Sequence, residues 1–199
     1  MNVEIALYDG FDELDAIGPY EVLVNGANAG ADLSVSLVGS DGQARVTASH
    51  GARVETDGSL GETSPALVVV PGGGWGDRAE AGAWAEAERG ELPRRLAAMH
   101  EGGATTASVC TGAMLLARAG ILDGRPAVTH HGAVEDLRET GAEVVDARVV
   151  DDGDVLTAGG VTSGIDLGLY LLEREFGPDL ATTVADWMEY ERRGGVHRG

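Results

Sequence analysis

The only cysteine of the chain lies where a buried strand passes directly into a helix. Small and β-branched residues lead up to Val109, as in a buried strand, and apolar residues then recur at helical spacing up to Gly120. Cys110 is therefore predicted in the turn between them, beside the unpaired amides of a helix N-terminus. Those amides and the helix dipole are expected to lower the pKa of the thiol and to favour a reactive thiolate.

The turn around Cys110 follows the pattern of a nucleophile elbow. In the Gly-x-Ser-x-Gly form of this turn, small residues two before and two after the nucleophile permit the sharp bend. Ser108 and Gly112 stand at these positions, so one of the two glycines is replaced. A lone cysteine is often only a small buried hydrophobe, but its place at a strand-to-helix junction favours a nucleophile.

Strand and helix patterns alternate along the chain. Strands are predicted at 3–8, 32–38, 45–47, 53–56, 66–70, 104–109, 126–131, 143–145, 148–150 and 155–158. Helices are predicted from about 17 to 24 with Pro19 in the first turn, and at 79–100 interrupted near Pro93, 113–119, 133–140, 163–176 and 178–190. This alternation predicts an α/β fold whose mainly parallel sheet has helices on both faces. No repeat or linker divides the sequence, so residues 1–199 are expected to form a single domain.

Three segments follow strands at the same end of the predicted sheet: the loop 9–15, the glycine turn 72–74 and Cys110. Parallel sheets of this kind bind ligands outside the carboxyl ends of their strands, so one crevice could hold all three. Asp15 is well placed to cap the first helix. The glycine turn lacks both the phosphate-loop motif and the dinucleotide fingerprint. It is either a flexible connection or a turn whose amides approach a reacting atom.

His130 and His131 are the candidate proton donors or acceptors for the thiol. On a strand, adjacent side chains point to opposite faces, so at most one of the two could serve. No further ligand stands at metal-binding spacing from this pair, and a single cysteine excludes a cysteine-rich metal site. We therefore expect no metal and no other cofactor.

The charge of the chain restricts its partners. The net charge is −19, and the 14 basic residues are all arginines. Such a surface repels nucleic acid and anionic membranes, which leaves a small molecule as the expected substrate. A large acidic excess without lysine also suggests a halophilic source, where salt screens the self-repulsion. Since no leader or long apolar run is present, we expect a cytoplasmic protein.

Five segments together resemble the ThiJ/PfpI superfamily, and they follow one another in the expected order. They are LDAIGP at 14–19, VPGG at 70–73, SVCTGA at 108–113, AVTH at 127–130 and AGGVTSGID at 158–166. The resemblance implies a class I glutamine amidotransferase-like, flavodoxin-like three-layer sandwich with a cysteine at its nucleophile elbow. It also implies a homodimer.

Within that superfamily the first loop and the elbow most resemble isonitrile hydratases and the amidase-like domains of AraC-type regulators. Those regulators carry a helix-turn-helix domain after this fold, whereas this sequence stops at Gly199. PfpI-type peptidases have a histidine after the nucleophile, where Thr111 stands here. Glyoxalases and deglycases typically have a glutamate in the first loop, where Asp15 stands here.

The resemblance implies a lyase that adds water to a small isonitrile and releases an N-substituted formamide. Cys110 would attack the terminal carbon, Asp15 would stay protonated beside the thiolate and deliver the proton, and Thr111 would orient the thiolate or the water. The amides of Gly73 and Thr111 would line an anion hole. The substrate-binding or oxyanion residues would be Gly72, Gly73 and His130.

Two other functions fit the same motifs. One is a glyoxalase or protein deglycase that acts on 2-oxoaldehydes, in which His130 would act as the base. The other is a redox sensor without catalysis, in which Cys110 is oxidised to a sulfinate held by Asp15 and the helix N-terminus.

Overall fold

The computed structural model describes residues 1–199 and confirms the predicted alternation of strands and helices. The strands are β1 (Asn2–Leu7), β2 (Ser34–Gly39), β3 (Arg45–Thr47), β4 (Arg53–Glu55), β5 (Gly58–Ser59), β6 (Leu67–Val70), β7 (Thr105–Val109), β8 (Pro126–Ala127), β9 (Glu143–Val144), β10 (Val149–Asp151), β11 (Val155–Ala158) and β12 (Val196–Arg198). The helices are α1 (Glu13–Asn28), α2 (Ala83–Arg89), α3 (Glu91–Glu101), α4 (Gly112–Arg118), α5 (Val134–Arg138), α6 (Ser163–Phe176) and α7 (Pro178–Trp187).

Eight strands form one sheet in the order β12-β10-β11-β7-β6-β1-β2-β5. Every neighbouring pair is parallel except β10 with β11, which pair antiparallel as the predicted hairpin. The order β2-β1-β6-β7-β11 is that of a flavodoxin-like sheet. The continuous apolar run of β6 is buried along its whole length, as expected of a central parallel strand. The predicted fold class is confirmed.

Helices cover both faces of the sheet. Helices α1, α6 and α7 pack together in one layer, and α2, α3 and α4 pack together in another. A single cluster of 47 buried hydrophobic residues includes side chains from the central strands and from both layers. None of the seven helices combines the length and the apolar character needed to cross a bilayer.

The start of α1 differs from the sequence prediction. The helix begins at Glu13, and the N-cap is Asp12, whose side chain accepts a hydrogen bond from the Leu14 amide at 3.1 Å. The prediction that Asp15 caps the helix is therefore wrong, because the helix starts one turn earlier than its apolar pattern. Pro19 lies inside α1 rather than in its first turn.

The predicted helix over 79–100 is two helices, and the break lies at Gly90 rather than near Pro93. Gly90 has a left-handed backbone, with φ of 73°, and is both the C-cap of α2 and the N-cap of α3. Pro93 then falls in the first turn of α3, where a missing amide removes no helical hydrogen bond. Glycine, and not proline, separates the two helices.

The strand predicted at 126–131 is much shorter. Only Pro126 and Ala127 are extended, and they pair with β9 in a separate two-stranded sheet. His130 and His131 lie beyond the strand, where a 3₁₀ turn begins. Two short strands of the main sheet, β5 and β12, were not predicted from the sequence: β5 has only two residues, and β12 forms by pairing with the distant β10.

Candidate active site

The loop after β1, the glycine turn after β6 and the elbow after β7 meet at one end of the sheet. They do so because β1, β6 and β7 are neighbours, and all three strands run in the same direction. The Asp12 amide donates to the Gly72 carbonyl at 2.8 Å, and the Gly72 amide donates to Asp15 Oδ2 at 2.9 Å. The Gly73 amide donates to Thr111 Oγ1 at 2.9 Å. The structure thus brings together the segments that the sequence placed in one crevice.

Cys110 is held in a strained backbone conformation at the elbow. Its φ is 58°, in the left-handed region that cysteine rarely adopts. Its amide donates to the carbonyls of Ala158 at 3.0 Å and Gly159 at 2.8 Å, and its carbonyl accepts from Thr129 Oγ1 at 3.0 Å. These three contacts fix the strained turn, as expected where strain belongs to a functional site.

Gly112 shows why the elbow needs a small residue after the nucleophile. A Cβ atom at this position would lie 2.1 Å from the Val70 carbonyl oxygen, so only glycine lets α4 start against β6. The start of α4 is thus in direct backbone contact with the end of β6.

The pKa of Cys110 is raised to about 12, which contradicts the predicted lowering. The largest cause is burial of the thiol, which is 6% exposed, and the second is the negative charge of Asp15. The amides of Thr111 and Val161 act in the opposite direction by hydrogen bonding to the sulfur. Desolvation outweighs these amides, and α4, with only seven residues, has a small dipole.

Asp15 is fully buried beside the thiol, and its pKa is raised from 3.8 to about 7. Burial is the main cause and the charge of Asp12 adds to it, whereas the Gly72 amide and the Cys110 thiol lower the pKa. Its second oxygen, Oδ1, is buried without a geometrically good hydrogen bond. Because the two groups interact, the values describe the pair: burial and the repulsion between two negative charges disfavour the loss of both protons.

Of the two amides predicted to line an anion hole, that of Thr111 is directed at the sulfur, whereas that of Gly73 is already occupied. The Gly72 and Gly73 amides already donate to Asp15 and to Thr111 Oγ1, so they orient these side chains. The amides directed at the sulfur are those of Thr111 and Val161. Val161 is held at a φ of 38°, a second strained residue beside the nucleophile. Sequence reasoning missed Val161, although the glycine pair at 159–160 before a helix was a signal for a special turn.

His130, and not His131, packs against the crevice wall. A Cβ atom on Gly160 would lie 2.5 Å from His130 Cδ2, so the ring lies directly on this backbone, whereas His131 is exposed. The two rings lie side by side with centroids 4.1 Å apart, and the prediction that they point to opposite faces is wrong because they do not lie on a strand. Burial and the neighbouring His131 lower the pKa of His130. Its Nδ1 accepts from the Gly132 amide, which places the proton of the neutral ring on Nε2.

Tyr8 lies beneath the site and was also missed from the sequence. Its side chain is fully buried, and its hydroxyl donates to the Pro71 carbonyl at 2.5 Å, immediately before the glycine turn. Burial raises the pKa of Tyr8 well above its usual range, and the charges of Asp15, Glu86, Cys110 and Asp12 add to the effect. The hydroxyl therefore stays protonated and supports the turn. No group of three or more histidine, cysteine or carboxylate side chains lies close enough together to hold a metal ion.

The sequence model of the DJ-1/PfpI family matches residues 1–174. The chain belongs to the DJ-1/PfpI family. The ThiJ/PfpI resemblance is thereby confirmed. Membership agrees with the fold, since a ThiJ/PfpI family protein from Pseudomonas syringae superposes with a TM-score of 0.84 at 25% identity. That match covers 96% of this chain and 76% of the other.

Two characterised kinds of DJ-1/PfpI protein are similar to this chain over most of its length. An isonitrile hydratase from Pseudomonas putida is 35% identical over 193 residues, which are 96% of this chain and 78% of the hydratase. A deglycase from Pyrococcus abyssi is 31% identical over 179 residues, 88% of this chain and 97% of the deglycase. The family therefore includes enzymes of two reaction types among the relatives of this chain.

Proposed function

We propose that this protein is a cysteine-dependent lyase of the isonitrile hydratase type, which converts a small isonitrile and water into an N-substituted formamide. The observation that carries the proposal is the buried Asp15–Cys110 pair: the carboxyl group is fully buried beside a thiol that is 6% exposed, and burial raises the pKa of both groups. An isonitrile carbon accepts both a nucleophile and a proton. A thiol and a carboxyl group that share one proton can supply both at one place.

In the first step the Cys110 thiol passes its proton to the Asp15 carboxylate, and Sγ, now a thiolate, forms a bond to the terminal carbon of the isonitrile. The same carbon receives the shared proton from the Asp15 carboxyl, and the product is a thioimidate, R–N=CH–S–Cys110. Asp15 becomes a carboxylate that still accepts from the Gly72 amide at 2.9 Å. The Thr111 and Val161 amides, which face the sulfur, stabilise the thiolate before it attacks.

In the second step water adds to the thioimidate carbon. The Asp15 carboxylate removes one proton of the water, and the second proton of that water passes to the nitrogen as the carbonyl forms. The carbon–sulfur bond then breaks, and its electron pair stays on Sγ as the thiolate. The formamide R–NH–CHO leaves, and the pair recovers its single proton. Thr111 Oγ1, which accepts from the Gly73 amide at 2.9 Å, orients the water. The oxygen of the formamide comes from water and no atom changes hands with a further reagent, so the reaction needs no cofactor.

The test is turnover of cyclohexyl isonitrile by the purified protein in high salt, with cyclohexylformamide measured by NMR. We expect Cys110→Ala and Asp15→Asn each to reduce turnover at least about a thousandfold, because each removes one half of the pair. Asp179→Asn, the same change at an exposed helix position, is the matched control and should retain full activity. Formamide production that persists in Cys110→Ala would contradict the proposal.

A second candidate function is a glyoxalase or deglycase that uses the same thiol on a 2-oxoaldehyde. It is favoured by His130, whose lowered pKa leaves it neutral near pH 7 and able to act as a base at the crevice wall. Methylglyoxal assayed in parallel separates the two functions. D-lactate formation that is lost in His130→Ala but retained in His131→Ala would favour the second candidate. The hydratase needs no base at His130, so its kcat should persist in both variants, and any effect of His130→Ala should be confined to KM.

Absence of both the formamide and D-lactate would favour the third candidate function, a redox sensor. Mass spectrometry after peroxide treatment would then show Cys110 converted to a sulfinate, which adds two oxygen atoms. Oxidation alone decides nothing, because a catalytic thiol would oxidise as well.

A further inference from the structure

A second cavity lies between α2, α4 and α5, and its walls contain neither Cys110 nor Asp15. We call it the tryptophan cavity, after Trp75 and Trp84, which line it. Its volume is about 480 Å³, within the range of small-molecule sites. The two indole rings meet edge to face, with centroids 5.1 Å apart and planes at 72°. They form two walls of a corner, the kind of surface on which cations are bound in proteins.

One cation already occupies the face of Trp84. The guanidinium carbon of Arg78 lies 4.4 Å from the centre of this ring. No hydrogen bond or ion pair holds the Arg78 side chain, which is exposed and belongs to a loop residue with a φ of 49°. Stacking on Trp84 is thus its one specific contact, and a competing cation could displace it.

Carboxylates outnumber cations around the tryptophan cavity. The four acidic residues that line it are Glu88, Asp123, Asp136 and Glu139, and the two basic ones are Arg78 and Arg118. Of the four, only Glu88 has an ion-pair partner, Arg118 at 3.4 Å. Asp136 Oδ2 accepts from Trp75 Nε1 at 2.5 Å, which leaves its other oxygen free.

We propose that the tryptophan cavity binds a small ligand that carries a guanidinium group, which takes the place of Arg78 on Trp84. A guanidinium is planar and can stack on an indole while its N–H groups donate to carboxylates, here those of Asp136 and Glu139. An alkylammonium has no flat face, so it fits the same cavity less well. This site is separate from the proposed hydratase site, and its test does not depend on isonitrile turnover.

The test is a titration of the full chain with n-butylguanidinium at constant ionic strength, followed by tryptophan fluorescence. Trp187 is 68% exposed and would report unspecific quenching, so the titration uses Trp187→Phe as its background. We expect a saturable change with n-butylguanidinium and an at least threefold weaker response to n-butylammonium. A change that is linear and equal for the two cations would overturn the proposal.

Three further variants in the Trp187→Phe background locate the site. Arg78→Ala removes the internal competitor and should tighten binding at least threefold, and Glu139→Gln should weaken it at least threefold. Glu143→Gln removes the same charge from an exposed strand outside the cavity and is the matched control, which should bind as its parent does. Weaker binding in Arg78→Ala, or equal weakening in both glutamine variants, would show that the ligand binds elsewhere or only through the net charge.

Discussion

Asp15 and Asp166 are both buried carboxyl groups in the first turn of a helix, and their helices, α1 and α6, pack against each other. Asp166 has several donors: Arg148 Nε at 2.5 Å and the Tyr190 hydroxyl at 2.9 Å on one oxygen, and the Arg193 amide at 2.9 Å on the other. Asp15 has one backbone donor, the Gly72 amide, and beyond it only the Cys110 thiol, and its Oδ1 has no good partner. Similar local positions thus hold a side chain with an arginine and two further donors in one helix and a carboxyl group with a raised pKa in the other, and the partners decide which.

The largest expected effect comes from removing the charge of Asp15. Its pKa rises from 3.8 in the unfolded chain to about 7 in the fold, so as pH increases the unfolded chain releases this proton first. Asp15 therefore costs stability as pH rises from about 4 to about 7. Three pKa units correspond to roughly 4 kcal/mol. Urea unfolding should show Asp15→Asn gaining about that much relative to wild type between pH 4 and pH 8. A difference that stays constant with pH would contradict this.

The opposite result is expected for Asp166. Asp166→Asn leaves the Arg148 guanidinium without its buried counter-charge and should lower the free energy of unfolding by about 3 kcal/mol at pH 7. Glu173→Gln, which removes one partner of the partly exposed Arg192 pair, is the control and should cost less than about 1 kcal/mol. If Asp166→Asn and Glu173→Gln lowered the free energy of unfolding by the same small amount, the partners of Asp166 would not stabilise the fold more than an exposed ion pair does.

A third difference between the two carboxyl groups concerns the thiol. Asp15 raises the pKa of Cys110, whereas Asp166 has no thiol beside it. Asp15→Asn should lower the pKa of Cys110 and speed its alkylation by iodoacetamide at pH 9 by roughly tenfold, the factor for one pKa unit. Stopped-flow or mass-spectrometric rates across pH 7 to 11 would measure the shift. Asp179→Asn should leave the rate unchanged, and an equal acceleration in that variant would mean a general charge effect.

The smallest effect concerns the tyrosine near each carboxyl group. Tyr190 donates to Asp166, whereas Tyr8 lies near Asp15 but donates to the Pro71 carbonyl. Tyr8→Phe should therefore cost about 1 kcal/mol through one lost hydrogen bond, and should leave the pH dependence of stability assigned to Asp15 in place. Loss of that pH dependence in Tyr8→Phe would show that the hydroxyl controls the Asp15 proton.

Local sequence patterns were sufficient to predict much of the fold. The apolar run of β6 and the hairpin of β10 and β11 were predicted from periodicity and turn residues, because each pattern reflects burial of its own segment. The helix break at Gly90 was misplaced, since proline was taken as the breaker although it is tolerated in a first turn. The end strand β12 depends on pairing with β10, a contact between residues far apart in the sequence.

For the candidate site, the sequence indicated which residues meet but not the charge they carry. The elbow at Cys110 and the neighbouring turn were readable from small residues and strand ends. The direction of the pKa shift of Cys110 could not be predicted, because the shift depends on burial by the whole fold and on Asp15, which lies 95 positions earlier in the chain. The contribution of Val161 was equally hidden, since its amide faces the sulfur through a backbone angle that side-chain patterns do not predict.

The left-handed backbone of Cys110 also bears on how the sequence can change over time. At a φ of 58° glycine is the residue that fits without strain, so a side chain at position 110 is held there at a backbone cost of roughly 1–3 kcal/mol. A replacement for Cys110 must therefore tolerate this backbone as well as fill the buried space of the thiol, which leaves few residues able to take its place.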